Sequence, residues 1–134
     1  MNQITTNFNK REFNSKDGKR MPLSVFNNVK ELARNLQILR DAIGSPIHIN
    51  SGYRSPSHNK SVGGSPNSQH LLGKASDITC KDLTPIQLRD KIEELINKGL
   101  MKQGGLGLYN GFVHYDIRGI NPKTGKGYRW DYRK

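Results

Sequence analysis

The segment SQHLLGKASDIT, residues 68–79, sets His70 and Asp77 seven positions apart on either side of Gly73. An imidazole nitrogen and a carboxylate oxygen are both metal ligands. The pair therefore reads either as two ordinary polar residues around a loop or as two ligands of one ion, and the spacing alone is a weak signal. A third candidate lies in GFVHYDIR, residues 111–118. Strand alternation puts Val113, Tyr115 and Ile117 on one face of this segment and Phe112, His114, Asp116 and Arg118 on the other. Polar residues in register on one strand face ordinarily meet water, but here that face offers His114 as a natural third partner for His70 and Asp77. Two histidines and one carboxylate suit Zn²⁺, and three protein ligands leave a fourth position open, as catalytic sites do and closed structural sites do not.

The elements that must position these residues follow from periodicity and punctuation. Residues 1–20 are polar, with Phe8 and Phe13 isolated, and read as an N-terminal arm laid over the domain. Phe26, Val29, Leu32, Ala33, Leu36, Leu39 and Ile43 then recur at three- and four-residue steps before Gly44, which is the pattern of an amphipathic helix. PIHIN (46–50) reads as a short strand, SGYRSPSHNKSVGGSPNS (51–68) as a loop, and KASDITC as a second strand. TPIQLRDKIEELINKG carries a full set of helix signals: Thr84 to cap, Pro85 at the first helical position, Gln87 to complete a capping box, and Gly99 to stop. GGLGLY and GFVHYDIR, joined around Tyr109-Asn110-Gly111, read as a hairpin with an Asn-Gly turn. Residues 119–134, GINPKTGKGYRWDYRK, form a basic, aromatic C-terminal tail. The expectation is one small α+β domain over residues 1–134, with a short antiparallel sheet carrying the site and two main helices.

Bulk composition narrows the partners. There are 22 Lys and Arg against 11 Asp and Glu, a formal net charge of +11. Such a charge attracts polyanions without choosing among nucleic acid, anionic cell wall and acidic membrane surfaces. No helix-turn-helix, zinc-finger or RNP signature is present, so specific nucleic-acid binding ranks last. Cys80 is the single cysteine, which excludes an intrachain disulfide, and it reads as a small apolar residue at a strand end. MNQITTNFNKREF lacks an apolar signal-peptide core and no stretch approaches membrane-spanning length. The chain is expected to be made in the cytoplasm, with no membrane partner.

The run SGYRSPSHNKSVGGSPNSQHLLGKASDI, together with GGLGLYNGFVHYDIRG, closely resembles the zinc D-Ala-D-Ala carboxypeptidase-like peptidases of the M15 family, in particular the small phage and bacterial forms. The family's S-x-H-x-x-G-x-A-x-D signature is matched at every specified position from Ser68 to Asp77, and the likeness runs from about residue 7 to Arg129-Trp130. The resemblance implies one Zn²⁺ held by His70, Asp77 and His114. It also implies that Arg54, in SGYR, contacts the peptide or carboxylate of the substrate, a task suited to a planar fork of donors; the alternative is an arginine that braces its own loop. Ser68 is expected to orient the metal loop or to touch substrate. Many relatives carry an acidic base three residues before the last histidine, where this chain has Gly111; the nearest acid is Asp116, expected to act as the base or as a partner behind His114, with the base favoured.

His48 and His58 rank below the main set, as a polar-face and a loop-shaping residue, and packing is the first expectation for Tyr53 and Tyr115. The implied function is a monomeric zinc metallopeptidase that hydrolyses peptide bonds of bacterial peptidoglycan, as a carboxypeptidase or an endopeptidase. Without a signal peptide it fits a phage endolysin that reaches the cell wall through a membrane lesion. The alternative is a catalytically inactive, zinc-stabilised module that binds cell wall or protein.

Overall fold

The computed structural model describes residues 2–134. Two long helices and a five-stranded sheet form the frame: α1 (Leu23–Ile43), β1 (Ile47–Ser51), α2 (Pro56–Ser61), β2 (Ala75–Cys80), α3 (Pro85–Asn97), β3 (Gly105–Leu108), β4 (Val113–Asp116) and β5 (Tyr128–Asp131). The sheet order is β1-β2-β4-β3-β5, antiparallel throughout except for the parallel pair β3/β5. This is the expected α+β class. Among the described residues no helix is long and apolar enough to cross a membrane.

The periodic stripe of α1 becomes buried: Val29, Leu32, Ala33, Leu36 and Leu39 are each fully covered, and Gly44 ends the helix in the left-handed region at φ 75°. They share one core with Leu88 and Ile92 of α3 and with Ile78, Leu106, Leu108, Val113 and Tyr115 from the sheet. At about 1.5–3 kcal/mol for each large apolar side chain, this layer supplies the main force holding the sheet against the helices. α3 begins as its signals predict, with Thr84 and Gln87 forming a reciprocal capping box.

Four local expectations are revised. Residues 51–68 are not all loop, because Ser55 caps a short helix, α2, whose first residue is Pro56; a polar, proline-bearing stretch concealed a cap-plus-proline start. The C-terminal tail contributes β5, which extends the sheet beyond β3. Phe8 and Phe13 do more than lie over the domain: both are fully buried in the shared core, and Phe13 O accepts from Tyr53 N at 2.8 Å. Finally, neither Asn110 nor Gly111 has positive φ, so the β3–β4 turn, closed by Tyr109 N to Phe112 O at 3.1 Å, is not the mirror-image type that Asn-Gly usually adopts.

Candidate metal centre and cleft

One row of residues crosses all five strands. Register pairs Ser51 with Asp77, Asp77 with His114, His114 with Gly107, and Gly107 with Trp130. Residues paired this way point to the same face, so the sheet sets Asp77 and His114 side by side. His70 arrives from outside the sheet, on the 3-10 turn Gln69–Leu72. Ser68 caps that turn, its Oγ accepting from His70 N at 3.1 Å, and Gly73 ends it at φ 73°. Any side chain at Gly73 would also strike α1, since a Cβ there would lie 2.6 Å from Val25 Cγ1. The turn is thereby seated on α1, which fixes the depth of His70.

His70, Asp77 and His114 are all buried and offer one ligand atom each within 4.8 Å of one another. Asp77 Oδ1 lies 3.3 Å from His70 Nε2 and 3.3 Å from His114 Nδ1. The remaining ring nitrogens are already committed. His70 Nδ1 donates to the carbonyl of Gly52 at 2.8 Å, and His114 Nε2 donates to Asp116 Oδ2 at 2.7 Å. Both tautomers are therefore set by acceptors that cannot donate. Neutral rings so held aim two lone pairs at a carboxylate oxygen, an arrangement that is favourable only with a cation, or an added ring proton, between them. The donor set fits a divalent metal with an open fourth position.

Ring protons are the alternative to a cation at this point: burial by itself would raise the Asp77 carboxyl, but hydrogen bonds and charge from protonated His114 and His70 hold it well below the usual carboxylate range. For His114, burial pushes the imidazole down, and the carboxylates of Asp116 and Asp77 more than offset this, leaving it raised.

Asp116 is 0% exposed and sits behind His114, away from Asp77. Its Oδ1 accepts from Gly105 N at 2.8 Å and Arg118 N at 3.1 Å, and the Arg118 guanidinium closes on both oxygens at 2.7–3.1 Å. Burial would raise this carboxyl, but His114 and Arg118 bring it well below its ordinary value. The expectation that favoured Asp116 as the base runs against this placement. The carboxylate has no exposed surface and both of its oxygens are already paired, and its bond to His114 Nε2 orients that ring, the placement of a partner behind a candidate ligand rather than of a base facing the cleft.

Arg54 lies on the cleft side of the trio. Its three contacts are long, to Ser51 Oγ at 3.2 Å, Asn59 Oδ1 at 3.4 Å and Asp77 Oδ2 at 3.3 Å. It borders an open cleft of about 670 Å³ together with Ser68, His70, Asp77 and His114. His48 is exposed, and His58 lies on α2 outside the cleft lining. Tyr115 donates to Lys102 O at 2.7 Å, and Tyr53 is buried in the core, so packing describes both.

Tyr109, Trp130 and Tyr132 had no expected place in the site, yet they line the same cleft together with Phe112 and Arg118 from the His114 face. Trp130 reaches His114 with ring centroids 5.0 Å apart because Gly107, the residue between them in the row, has no side chain; a Cβ there would lie 2.1 Å from Trp130 Nε1. The signal was the alternation Gly105-x-Gly107, two glycines on the site face of one strand, which marks a close approach.

Comparison with known proteins agrees with this architecture. A family model described as Peptidase M15 matches residues 5–116. A 44-residue stretch is 48% identical to the zinc D-Ala-D-Ala carboxypeptidase of Streptomyces albus G; it covers 32% of this chain and 17% of that enzyme.

Proposed function

Since the chain belongs to the peptidase M15 family, we propose that it is a zinc peptidase that hydrolyses peptide bonds of bacterial peptidoglycan, acting as a carboxypeptidase or an endopeptidase on the stem peptides. The observation that carries this reading is the convergence of His70 Nε2, Asp77 Oδ1 and His114 Nδ1 on one point, with both far nitrogens locked by Gly52 O and Asp116. When bound there, zinc supplies a Lewis acid that polarises a carbonyl and acidifies a water molecule. The chain's own contributions are geometric and electrostatic. Asp116 holds the His114 ring and its tautomer, Ser68 fixes the turn that carries His70, and Arg54 offers a guanidinium at the cleft edge to a peptide carbonyl or carboxylate. Its existing bonds are long enough to be exchanged for a bidentate carboxylate pair. The net charge of +11 concentrates the protein on anionic wall polymers. In this reading it works as a monomer and reaches the wall as a phage lysin.

The sequestered Asp116 favours one competing reading. Asp77 is the only carboxylate among the described residues lining the cleft, which suits a zinc-stabilised module that binds wall peptides without cutting them. Metal analysis of purified protein, beside mass spectrometry of peptidoglycan incubated with it, separates the two. The peptidase reading predicts about one zinc per chain and new free amines at one bond type. Zinc without new amines leaves the binding module, and a chain that takes up no zinc removes both.

A further inference from the structure

We propose that the Tyr109 hydroxyl is a catalytic hydrogen-bond donor to the reacting carbonyl oxygen, oriented for that task by the indole of Trp130. The inference rests on the peptidase reading and adds a residue to it. In peptide hydrolysis the oxygen of water bonds to the carbonyl carbon while the C=O π pair moves onto the carbonyl oxygen. That pair then returns as the C–N bond breaks, and the leaving nitrogen takes up a proton lost by the water. The oxygen is negatively charged between these steps, and a preformed neutral donor aimed at it accelerates both.

Tyr109 meets the requirements of such a donor. It follows β3 directly, on the wall of the cleft that contains Arg54, His70, Asp77 and His114. Trp130 Nε1 lies 3.0 Å from Tyr109 Oη. An indole N–H can only donate, so the phenol oxygen is the acceptor and its own hydrogen must point elsewhere. Among the described residues nothing accepts that hydrogen. The ring is held on two sides, stacked on Phe112 at 4.4 Å and 11° and edge-on to Tyr132 at 5.6 Å and 75°. Accepting a bond from Trp130 also polarises the O–H and strengthens its donation.

Trp130 is a positioning residue in this scheme. It occupies the last place in the row Asp77–His114–Gly107–Trp130, its ring against that of His114, so the hydroxyl it aims is one hydrogen bond removed from a residue against the metal point. Burial raises the Tyr109 phenol above its ordinary value, so it enters the reaction as a neutral donor.

The test uses the full zinc-loaded chain, a soluble peptide spanning the bond that digestion identifies, and the phosphinate analogue of that bond, whose tetrahedral oxygens mimic the charged intermediate. Tyr109→Phe should keep zinc affinity and KM within about threefold while kcat falls on the order of 10²-fold, the usual cost of one oxyanion donor. Phosphinate affinity should fall with kcat, and affinity for the uncleaved peptide should not. Trp130 is the single tryptophan, so in metal-free protein the same substitution should move its emission to the blue as the indole loses its acceptor. Trp130→Phe should lower kcat in the wild-type background and cost little more in the Tyr109→Phe background. Unchanged phosphinate affinity in Tyr109→Phe overturns the donor role, and equal losses from Trp130→Phe in both backgrounds overturn the positioning role. A wild-type chain that neither cuts peptide nor binds phosphinate overturns the peptidase reading itself, and the proposal falls with it.

Discussion

At the scale of single residues, the chemistry turns on which nitrogen of each histidine is free. Asp116 decides this for His114, because its carboxylate takes Nε2 and leaves Nδ1 for the site. Sequence placed Asp116 on the correct strand face, since alternation from His114 requires it. It could not show that Gly105 N and Arg118 would occupy the remaining lone pairs, because those contacts depend on the sheet register and on a side chain folding back. The two possible roles predict different losses. As a base, Asp116→Asn would keep zinc and lose about 10²–10⁴-fold in turnover. As the group that holds His114, the same substitution should weaken zinc binding itself, by about 10–100-fold, because the charged acceptor behind the ligand is gone. Competition with a chelator of known affinity measures this directly, and unaltered zinc affinity in Asp116→Asn would return the residue to the list of possible bases.

At the scale of elements, the parts that could be read were those with local signatures. α1 carries a stripe of period 3.6, α3 carries a cap, a proline and a stop, and β2 and β4 carry Asp77 and His114 on strand-like segments. β5 was hidden for a physical reason: YRWD sits in a basic, glycine-bearing stretch, and its pairing is parallel to β3, a non-local choice that no local pattern encodes. With β5 went Trp130, and with that indole the purpose of Gly107. This glycine gives an element-level prediction. A Cβ at Gly107 would press into the Trp130 indole, so Gly107→Ala should displace β5 and destabilise the fold by about 1–3 kcal/mol, the usual cost of overpacking. Gly111 is the contrast. Its φ is not positive and a Cβ added there would meet nothing within 4 Å, so Gly111→Ala should lie within about 0.5 kcal/mol of wild type. Urea titrations followed by far-UV circular dichroism measure both, and equal stabilities for the two variants would contradict the packing assigned to Trp130.

At the scale of the whole molecule, the site ties together pieces distant in the chain. The 3-10 turn, β2 and β4 each contribute one candidate ligand, so an ion bound by all three would cross-link three elements and its binding energy would become folding energy. At free zinc about 1,000 times Kd the linkage is worth ~4 kcal/mol. For a domain of this length that corresponds to a rise in Tm on the order of 10–20 °C. Scanning calorimetry with zinc and with EDTA should show it, and His70→Ala should abolish most of it. A second long-range tie joins the N-terminal arm to the segment that follows β1. Asp17, in the N-terminal arm, accepts from Ser55 Oγ at 2.6 Å, Ser15 Oγ at 2.7 Å and Ser57 Oγ at 3.1 Å, and so pins the arm to the start of α2. The Ser55 hydroxyl does most to hold this carboxyl well below its ordinary range, with Ser15, Lys19 N and Ser57 adding to it against the opposing effect of burial. The sign follows from linkage: a carboxylate whose folded value is depressed below its unfolded value of about 3.9 stabilises the fold above that pH. The contribution fades as pH falls toward the folded value. Asp17→Asn should therefore lower Tm relative to wild type at pH 7, and the gap should narrow steadily as pH drops below about 4. A gap that stays constant from pH 7 to pH 3 would mean that the carboxylate's charge contributes nothing to holding the arm.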